Sequence, residues 1–375
     1  MKIIAEASPY CFGSTSILLY LSRHLHKKHK ISIICSEITK DQFISQKQYF
    51  EEIKVEKFKD ENKYKKNKRL IVNSDLYLSV MNWIGLEDIE EENIKTAYID
   101  SLFWKNRTQT FAMENFDYYF IESYPNVKED ISNFDFKIKN PHIVNPMFDM
   151  SNLEKKQSEK EIAVINLGGG ESPLIDPNKN SKYGELILKI LSKLDKKGFF
   201  KDIKEIYICS GKKRISEMKE KSYIFPKAKL RSLPQEKYFQ LLSKCDLFMT
   251  SPGLNGPYEG FFLEKPTIFL PPQNLTQVFH LKDYVNLDLA PSGLKLSNYG
   301  PKIKVEKRFD EKEDIKKVLS KINLLVEKDD VIEGFANSIF NHFKNKEQSN
   351  LIKSQKRYLN DLFSFNSILN YFEKI

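Results

Sequence analysis

Two glycine-rich segments carry the residue types that bind phosphate, and the more compact of them is Gly168-Gly169-Gly170. These glycines directly follow the apolar run Glu161–Leu167, and one residue separates them from Ser172. Consecutive glycines let the backbone approach a ligand closely, and their N–H groups can form a concave nest for an anion such as phosphate. The segment has neither the Gly-Lys-Ser/Thr ending of a Walker A loop nor the spacing of a GxGxxG loop. The glycines therefore indicate an anion-binding turn of another kind.

The second segment lies within residues 233–281, which read as helix, strand, glycine turn, helix, strand and polar loop. Its turn, Ser251–Gly256, is expected at the carboxyl end of a strand, where open α/β sheets bind their ligands. Glu259 is predicted in the first turn of the following helix. A carboxylate there can accept two hydrogen bonds from a ribose diol, and the helix N-terminus can hold a diphosphate. The alternative is that Glu259 only compensates the helix dipole.

A third loop follows the first predicted strand, Lys2–Ala7. Gly13 and Ser14 stand near its end, before a helix predicted over Ile17–His26. Their N–H groups could bind a ligand at the N-terminus of this helix. A plain helix cap is the alternative, because serine is a good cap.

Strand and helix patterns alternate along the chain, which predicts parallel sheets with helices on their faces. A polar stretch near residues 150–160 separates two such series, so we expect two consecutive doubly wound α/β domains and a helical tail. The predicted strands are Lys2–Ala7, Lys30–Cys35, Arg69–Val72, Lys95–Ile99, Tyr118–Ile121, Glu161–Leu167, Glu205–Ser210, Lys227–Leu230, Asp246–Thr250 and Thr267–Leu270. The predicted helices are Ile17–His26, Tyr183–Leu194, Gln235–Lys244, Pro257–Leu263 and several over residues 311–375.

Composition excludes several classes of protein. The chain is 41% hydrophobic and 30% charged, unlike a disordered or collagenous chain. No apolar stretch approaches the ~18–20 residues that span a bilayer, and Glu6 interrupts the place of a signal peptide, so a cytoplasmic protein is expected. The cysteines and histidines lack metal spacing, so no metal site is expected. The net charge of +9 comes from interleaved charges, which favours a solvated surface over a nucleic-acid partner.

The order and spacing of residues 233–281 resemble the nucleotide-sugar binding region of the GT-B glycosyltransferases, in particular the branch of MurG and the UDP-glycosyltransferases. That branch has a glycine-rich loop that opens its C-terminal domain. Later come a helix ending in an Ala/Cys-Asp pair, a strand, a Ser/Gly turn, a ribose-binding Glu, a strand ended by proline, and a polar loop with Gln. The matching residues are Gly168–Ser172, Cys245-Asp246, Thr250–Gly256, Glu259, Lys265-Pro266, Pro271-Pro272, Gln273, Asn274 and Gln277.

The resemblance implies a GT-B architecture, in which two Rossmann-like doubly wound domains face a central cleft. Residues 1–155 would form the acceptor domain and 156–345 the nucleotide-sugar donor domain, and the final helix, 346–375, would pack back on the N-terminal domain. The implied reaction moves a sugar from a nucleotide diphosphate sugar, with UDP favoured, to a small-molecule, peptide or glycan acceptor, without a metal or other cofactor. The implied donor contacts are Gly168, Gly169, Gly170, Ser172, Leu233, Ser251, Gly253, Leu254, Asn255, Gly256, Glu259, Gln273, Asn274 and Gln277.

The catalytic group departs from the family pattern. Many inverting members have a catalytic histidine after the glycine of the first loop, a loop to which Gly13-Ser14 is similar, and this chain has Ser14 there. A serine hydroxyl is a poor general base without a partner. The alternatives are the strand-end carboxylates Glu6, Asp100 and Glu122. We select Asp100, because aromatic residues that suit an acceptor pocket follow it, although a helix-capping role explains it equally well.

Other functions stay open at this stage. A nucleotide-sugar hydrolase or epimerase needs no acceptor base at position 14, and a nucleotide-sugar binding protein would turn nothing over. A glycosyltransferase acting on nucleic acid is suggested by the pI of about 9.0, and it would bind DNA with a steep dependence on salt.

Overall fold

A computed structural model describes residues 1–9, 12–57, 60, 62–82, 89, 93–103, 114–134, 138–148, 161–168, 181–300, 303 and 311–374. The chain forms two compact units. The first comprises Met1–Phe148 together with Asp361–Ile375, and the second comprises Asp149–Asn360. Each unit is built on one parallel sheet with helices between its strands, so the predicted α/β class is confirmed.

The sheet of the first unit has seven strands, all parallel. They are β1 Lys2–Ala7, β2 Lys30–Ser36, β3 Glu52–Glu56, β4 Leu76–Val80, β5 Lys95–Asp100, β6 Tyr118–Glu122 and β7 Pro141–Val144. Their order is β3-β2-β1-β4-β5-β6-β7, so the direction of winding reverses between β1 and β4, where Ile3 pairs with Leu76. The central strands are buried along nearly their whole length, because helices cover both faces.

The sheet of the second unit has five strands, β8 Ile162–Asn166, β9 Glu205–Cys209, β10 Ala228–Arg231, β11 Leu247–Thr250 and β12 Thr267–Phe269. Their order is β10-β9-β8-β11-β12, again all parallel. The winding reverses between β8 and β11, where Asn166 pairs with Thr250. Both units therefore have the doubly wound topology that the alternating pattern predicts.

The described helices of the first unit are Phe12–Leu25, Lys40–Ile44, Lys63–Val72, Val127–Ser132 and Leu369–Phe372. Those of the second are Tyr183–Lys196, Lys212–Lys219, Gln235–Lys244, Asn255–Phe262, Leu275–Asn286, Glu311–Leu325, Asp329–Asn345 and Gln348–Leu362, of which the last ends in the first unit. Short 3-10 turns occur at Lys47–Tyr49, Ser222–Ile224, Ser292–Leu294 and Leu296–Asn298. Among these helices none is long and apolar enough to cross a membrane.

One predicted strand is wrong. Residues 69–72 lie at the end of the helix Lys63–Val72, and the strand of this region, β4, begins at Leu76. Tyr64, Asn67 and Ile71 recur at helical spacing on the buried face of that helix, which the mixed charges around them obscured. Three strands, β3, β4 and β7, were not predicted, whereas the other nine predicted strands are confirmed within two residues at each end.

The end of the chain returns to the first unit. Asn366 forms a bridge with Val144 of β7, and Ile368 and Phe372 join the apolar core beneath β1, β4 and β5. The Ser123 hydroxyl donates to the carbonyl of Leu362 at 2.8 Å. Residues 361–375 thus belong to the first unit, and the return starts later than the predicted residue 346.

A glycine lets the helix Asn255–Phe262 pack closely on the second sheet. A Cβ added at Gly260 would lie 2.6 Å from Cδ1 of Phe248 and would also clash with the Thr267 hydroxyl, on β11 and β12 respectively. Because Gly260 has no methyl group, the helix that carries Glu259 can lie directly on β11 and β12.

Gly260→Ala tests this close approach. We expect the free energy of unfolding to fall by about 1–3 kcal/mol, because an extra methyl group in a packed interface forces side chains or backbone to shift. Thermal and denaturant unfolding measure the change. Gly253→Ala is the matched control, since a Cβ there would meet no atom within 4 Å. Equal stability of the two variants would contradict the packing described.

Candidate active site

The polar loops of the second unit meet at the reversal point of its sheet. Asn166 ends β8 and Thr250 ends β11, and the two strands are neighbours. The Ser251 N–H donates to the Asn166 carbonyl at 3.1 Å, and the Leu270 N–H donates to the Thr250 carbonyl at 2.9 Å. Crevices at such reversal points are where doubly wound sheets bind ligands. The structure therefore brings Gly168, the Ser251–Gly256 turn and the polar loop after β12 to one place.

Gly168 turns the chain out of the sheet. Its φ of +69° lies in the left-handed region that favours glycine. Its N–H donates to Oδ1 of Asn166 at 2.8 Å, and its carbonyl accepts from the Ser210 hydroxyl, also at 2.8 Å. The first residue of the predicted anion nest is thus firmly placed. Gly169, Gly170 and Ser172 lie outside the described residues.

The polar loop after β12 is tied to both neighbouring loops by two buried glutamines. Gln273 donates from Nε2 to the Leu167 carbonyl at 2.6 Å. Gln277 accepts at Oε1 from the Gln273 N–H at 3.0 Å and donates from Nε2 to the Ser251 hydroxyl at 3.3 Å. Asn274 caps the helix Leu275–Asn286, because its Oδ1 accepts from the Gln277 N–H at 2.9 Å. The predicted contact of these residues with a sugar stays a prediction.

The turn Ser251–Gly256 leads into the helix that carries Glu259. Its backbone is held by the hydroxyl of Tyr284, which donates to the Gly253 carbonyl at 2.9 Å. The helix begins at Asn255, two residues before the predicted start. A Cβ on Gly256 would lie 2.8 Å from the Thr250 hydroxyl, so the helix N-terminus lies against the end of β11. Leu254 precedes the helix, and Leu233 lies half-buried just after β10.

Glu259 is buried one turn inside this helix, so its predicted position in the first turn is wrong. Only 7% of its surface is exposed. Burial raises the pKa of its carboxyl group from 4.5 to about 8, and a hydrogen bond with Tyr238 opposes this shift. Dipole compensation by an exposed carboxylate is therefore a poor explanation of Glu259, since the group is buried and hydrogen-bonded.

Arg214 is a charged residue of this site that was not predicted. It lies in the first turn of the helix after β9 and is buried, and its guanidinium donates to Oε1 of Gln273. The guanidinium carbon is 5.3 Å from the ring centre of Tyr183, whose hydroxyl donates to the Pro271 carbonyl at 2.7 Å. The sequence does contain a signal for Arg214, because the first turn of a helix usually carries acidic residues and here it carries a cation.

In the first unit, the side chains of Ser14 and Asp100 are buried and hydrogen-bonded. Ser14 lies in the first turn of the helix Phe12–Leu25, beside the exposed Gly13, and its hydroxyl donates to the Ser8 carbonyl at 3.0 Å. Asp100 is fully buried. Its Oδ2 accepts from the Tyr119 hydroxyl at 2.6 Å and its Oδ1 from the Leu102 N–H at 2.8 Å. Both its predicted catalytic role and the helix-capping alternative stay predictions, because residues 104–113 lie outside the described residues.

Glu6 and Glu122 differ in how their carboxyl groups are satisfied. Glu6 accepts from Lys63, Tyr64 and Asn82 at 2.6–2.7 Å, and also from Tyr77. Glu122 accepts at Oε1 from the Met147 N–H at 3.0 Å, whereas its buried Oε2 has no hydrogen-bond partner within the described part of the chain. Burial raises the pKa of Glu122 from 4.5 to about 7, and the charge of Asp100 adds to the rise.

Glu122→Gln tests that burial, because it removes the charge and keeps an oxygen for Met147. The raised pKa means that the folded chain binds more protons than the unfolded chain between about pH 4.5 and 7. The wild type therefore loses stability as pH rises through this window. We expect the stability of the variant to exceed that of the wild type by an amount that grows to at most about 3 kcal/mol near pH 7. Denaturant unfolding at several pH values measures this difference.

Glu129→Gln, at an exposed position on the helix Val127–Ser132, is the matched control. A stability difference between Glu122→Gln and the wild type that does not change with pH would show that Glu122 is not the buried carboxyl described.

Known proteins resemble this chain in structure but not in sequence. No protein-family model matches the chain, and no curated protein sequence matches it. Solved structures with the GT-B glycosyltransferase fold, however, match it over almost its entire length. The chain thus has the GT-B fold, and the predicted architecture is confirmed at the level of fold.

Three of these structures are plant enzymes. UGT2 of Phytolacca americana, solved with UDP-2-fluoro-glucose and pterostilbene, is 10% identical and has a TM-score of 0.58, with 100% of this chain and 99% of that chain covered. UGT89C1 of Arabidopsis thaliana, solved with UDP, is 11% identical, with a TM-score of 0.52 and coverage of 96% and 99%. UGT71G1 of Medicago truncatula, solved with UDP-glucose, is 12% identical, with a TM-score of 0.50 and coverage of 97% and 98%.

Proposed function

We propose that the chain is a glycosyltransferase that moves a sugar from a UDP-sugar to an acceptor. The observation that carries this proposal is that Gly168 and the Ser251–Gly256 turn meet at the reversal point of the second sheet, and that Glu259 lies on the helix that continues from this turn. A phosphate-binding turn and a ribose-binding carboxylate at one crevice suit a nucleotide diphosphate. The solved structures of the same fold that hold UDP or a UDP-sugar support uridine as the base.

On this proposal the diphosphate lies at the N-terminus of the helix Asn255–Phe262 and at the glycine loop. The backbone N–H groups there and the helix dipole stabilise the charge that develops on the leaving UDP. Arg214 adds a positive charge near the same loop through its contact with Gln273. We propose that these groups act without a metal ion, so EDTA leaves turnover unchanged.

The hexose is expected beside Gln273, Asn274 and Gln277. Oε1 of Gln273 accepts from Arg214, and Oε1 of Gln277 accepts from the Gln273 N–H. A carboxamide oxygen has two lone pairs, so each can also accept from a sugar hydroxyl. Because the hydrogen bonds fix the orientation of both carboxamides, we expect them to distinguish sugars by the positions of their hydroxyl groups.

A thermal-shift screen against UDP, GDP, CDP and dTDP, with their common sugars, tests the donor class. We expect UDP and UDP-sugars to raise the midpoint of unfolding and the other nucleotides to do so less. A ligand held at ~100 times its dissociation constant stabilises the folded chain by about 2.7 kcal/mol. Stabilisation by another nucleotide alone would correct the base, and the lack of any shift would overturn the proposal.

Glu259→Ala tests the ribose contact. We expect UDP affinity, measured by titration calorimetry at neutral pH, to fall about 10–100-fold, because the carboxyl group would make two hydrogen bonds to the ribose and each hydrogen bond between neutral groups contributes about 0.5–1.5 kcal/mol. Glu313→Ala, which removes a surface carboxylate from the helix Glu311–Leu325, is the control. Unchanged affinity in Glu259→Ala would show that the ribose lies elsewhere.

The acceptor side is a separate proposal, in which Asp100 accepts the proton of the acceptor hydroxyl and Ser14 helps to hold the acceptor. Asp100→Asn is then expected to spare UDP affinity and to abolish transfer, measured as UDP release with and without an acceptor. Asp117→Asn is the matched control, since Asp117 accepts from the Thr96 N–H at 3.0 Å at the other end of the same sheet. An Asp100→Asn variant that is less stable but transfers normally would assign Asp100 to the turn. UDP release that needs no acceptor would indicate a hydrolase.

A further inference from the structure

Arg214 and Gln273 form a buried pair of a cation and a carboxamide. Arg214 lies in the first turn of the helix Lys212–Lys219, Gln273 lies in the polar loop after β12, and only 5% and 7% of their surfaces are exposed. The guanidinium donates from Nη1 to Oε1 of Gln273. A hydrogen bond from a charged donor is stronger than one between neutral groups. This bond therefore fixes one end of the Gln273 carboxamide.

A second hydrogen bond fixes the other end of the same carboxamide. Nε2 of Gln273 donates to the Leu167 carbonyl at 2.6 Å. If the carboxamide turned over, its N–H groups would face the guanidinium and its oxygen would face a carbonyl, so both hydrogen bonds would be lost. The side chain thus has one favourable orientation, which Arg214 and Leu167 determine together.

Arg214 is itself held by residues that contact the same polar loop. Its guanidinium carbon lies 5.3 Å from the centre of the Tyr183 ring, a distance at which a cation is attracted to the face of an aromatic ring. Tyr183 is fully buried, and its hydroxyl donates to the carbonyl of Pro271, two residues before Gln273, at 2.7 Å. The contacts therefore form a closed ring, from Pro271 through Tyr183 and Arg214 back to Gln273.

We propose that Arg214 is a positioning residue that sets the sugar specificity of the donor site by holding the Gln273 carboxamide in one orientation. In that orientation Oε1 keeps one lone pair and Nε2 keeps one proton, so Gln273 can accept from one hydroxyl group of the sugar and donate to another. An acceptor and a donor at fixed positions distinguish sugars that differ in a single hydroxyl group. This inference rests on the proposed function, because it assigns Arg214 to the sugar end of a nucleotide-sugar site.

Arg214→Met tests the proposal, since methionine keeps an unbranched stem beside Tyr183 and removes both the donor and the charge. Titration calorimetry gives the affinities for UDP and for whichever of UDP-glucose, UDP-galactose and their N-acetyl forms binds the wild type best. The dissociation constant of UDP divided by that of the UDP-sugar reports what the sugar contributes. We expect this ratio to fall about fivefold or more, because the Gln273 carboxamide loses one of the two bonds that orient it.

The ratio separates positioning from a direct effect of the charge. A cation that acts on the diphosphate alters both affinities to a similar extent, because both ligands carry the diphosphate, and it leaves the ratio nearly unchanged. Lys219→Met, which removes an exposed cation from the end of the same helix, is the matched control. A ratio that stays at the wild-type value in Arg214→Met, whether or not UDP affinity falls, would overturn the proposal.

A double variant shows whether Arg214 acts through Gln273. The ratio is measured for Gln273→Ala alone and for Gln273→Ala combined with Arg214→Met. If Arg214 acts only by orienting Gln273, its loss lowers the ratio no further once Gln273 is absent. Additive losses would show that Arg214 contacts the sugar directly, which overturns a positioning role.

Hydrogen exchange in the free protein tests the same contact without a ligand. The Gln273 N–H donates to Oε1 of Gln277 at 3.0 Å, so its exchange with deuterium reports local opening of the loop. In Arg214→Met we expect this amide to exchange roughly tenfold faster, because a hydrogen bond from a charged donor is lost. Mass spectrometry of peptides that contain Gln273 measures the rate, and Lys219→Met is expected to exchange as the wild type does.

The exchange experiment also separates this inference from the proposed function. An unchanged exchange rate in Arg214→Met would show that Arg214 does not hold Gln273, which overturns the proposal even if the chain binds UDP-sugars. A wild type that binds neither UDP nor any UDP-sugar would overturn the proposed function and, with it, the assignment to sugar specificity. The exchange rate would then decide the positioning of Gln273 alone.

Discussion

The parallel pairing of β8 with β11 places Gly168 and the Ser251–Gly256 turn side by side. The Asn166 carbonyl accepts from the Ser251 N–H at the point where both strands end, and the chain leaves the sheet on each side of that bond. The winding reverses there, and at such a reversal point doubly wound sheets commonly bind their ligands. The positions of Gly168 and the Ser/Gly turn follow from this contact, and the polar loop after β12 is tied to both by Gln273 and Gln277.

Carboxamide side chains rather than ion pairs hold these loops together. Gln273, Gln277 and Asn166 each bond to backbone or hydroxyl groups of a neighbouring loop. A buried amide costs free energy unless both its donor and its acceptor are used, so such a network is rigid when complete. Arg214 places a positive charge within the same region. Burial raises the pKa of Glu259 to about 8, so its carboxyl group keeps its proton at neutral pH.

At the strand ends of the first unit, buried carboxylates rather than carboxamides make the hydrogen bonds to neighbouring segments. Glu6 and Asp100 have their oxygens occupied by hydroxyl, amide and ammonium donors. Glu6 thereby joins the end of β1 to the helix Lys63–Val72, and Asp100 holds the chain that follows β5. Glu122 holds the chain at Met147 with one oxygen, and its second oxygen meets no donor in the described residues. Its carboxyl group therefore gains a proton more easily than an ordinary glutamate.

Short-range patterns were enough to predict nine of the twelve strands in the described residues, the turns at Gly168 and at Ser251–Gly256, and the succession of two doubly wound units, because apolar periodicity and glycine are local signals. The candidate residues Ser251–Gly256, Glu259 and Gln273–Gln277 could be selected for the same reason, since they lie close together in the chain, and their contact with a donor stays a prediction. Arg214 could not be selected in this way, because its role arises from its contact with Gln273, which is distant in sequence. The helix Lys63–Val72 and the strands β3, β4 and β7 were also decided by packing, since charged residues surround or interrupt their short apolar runs. Local sequence thus determined the elements and their turns, whereas long-range hydrogen bonds decided which polar side chains meet at the site.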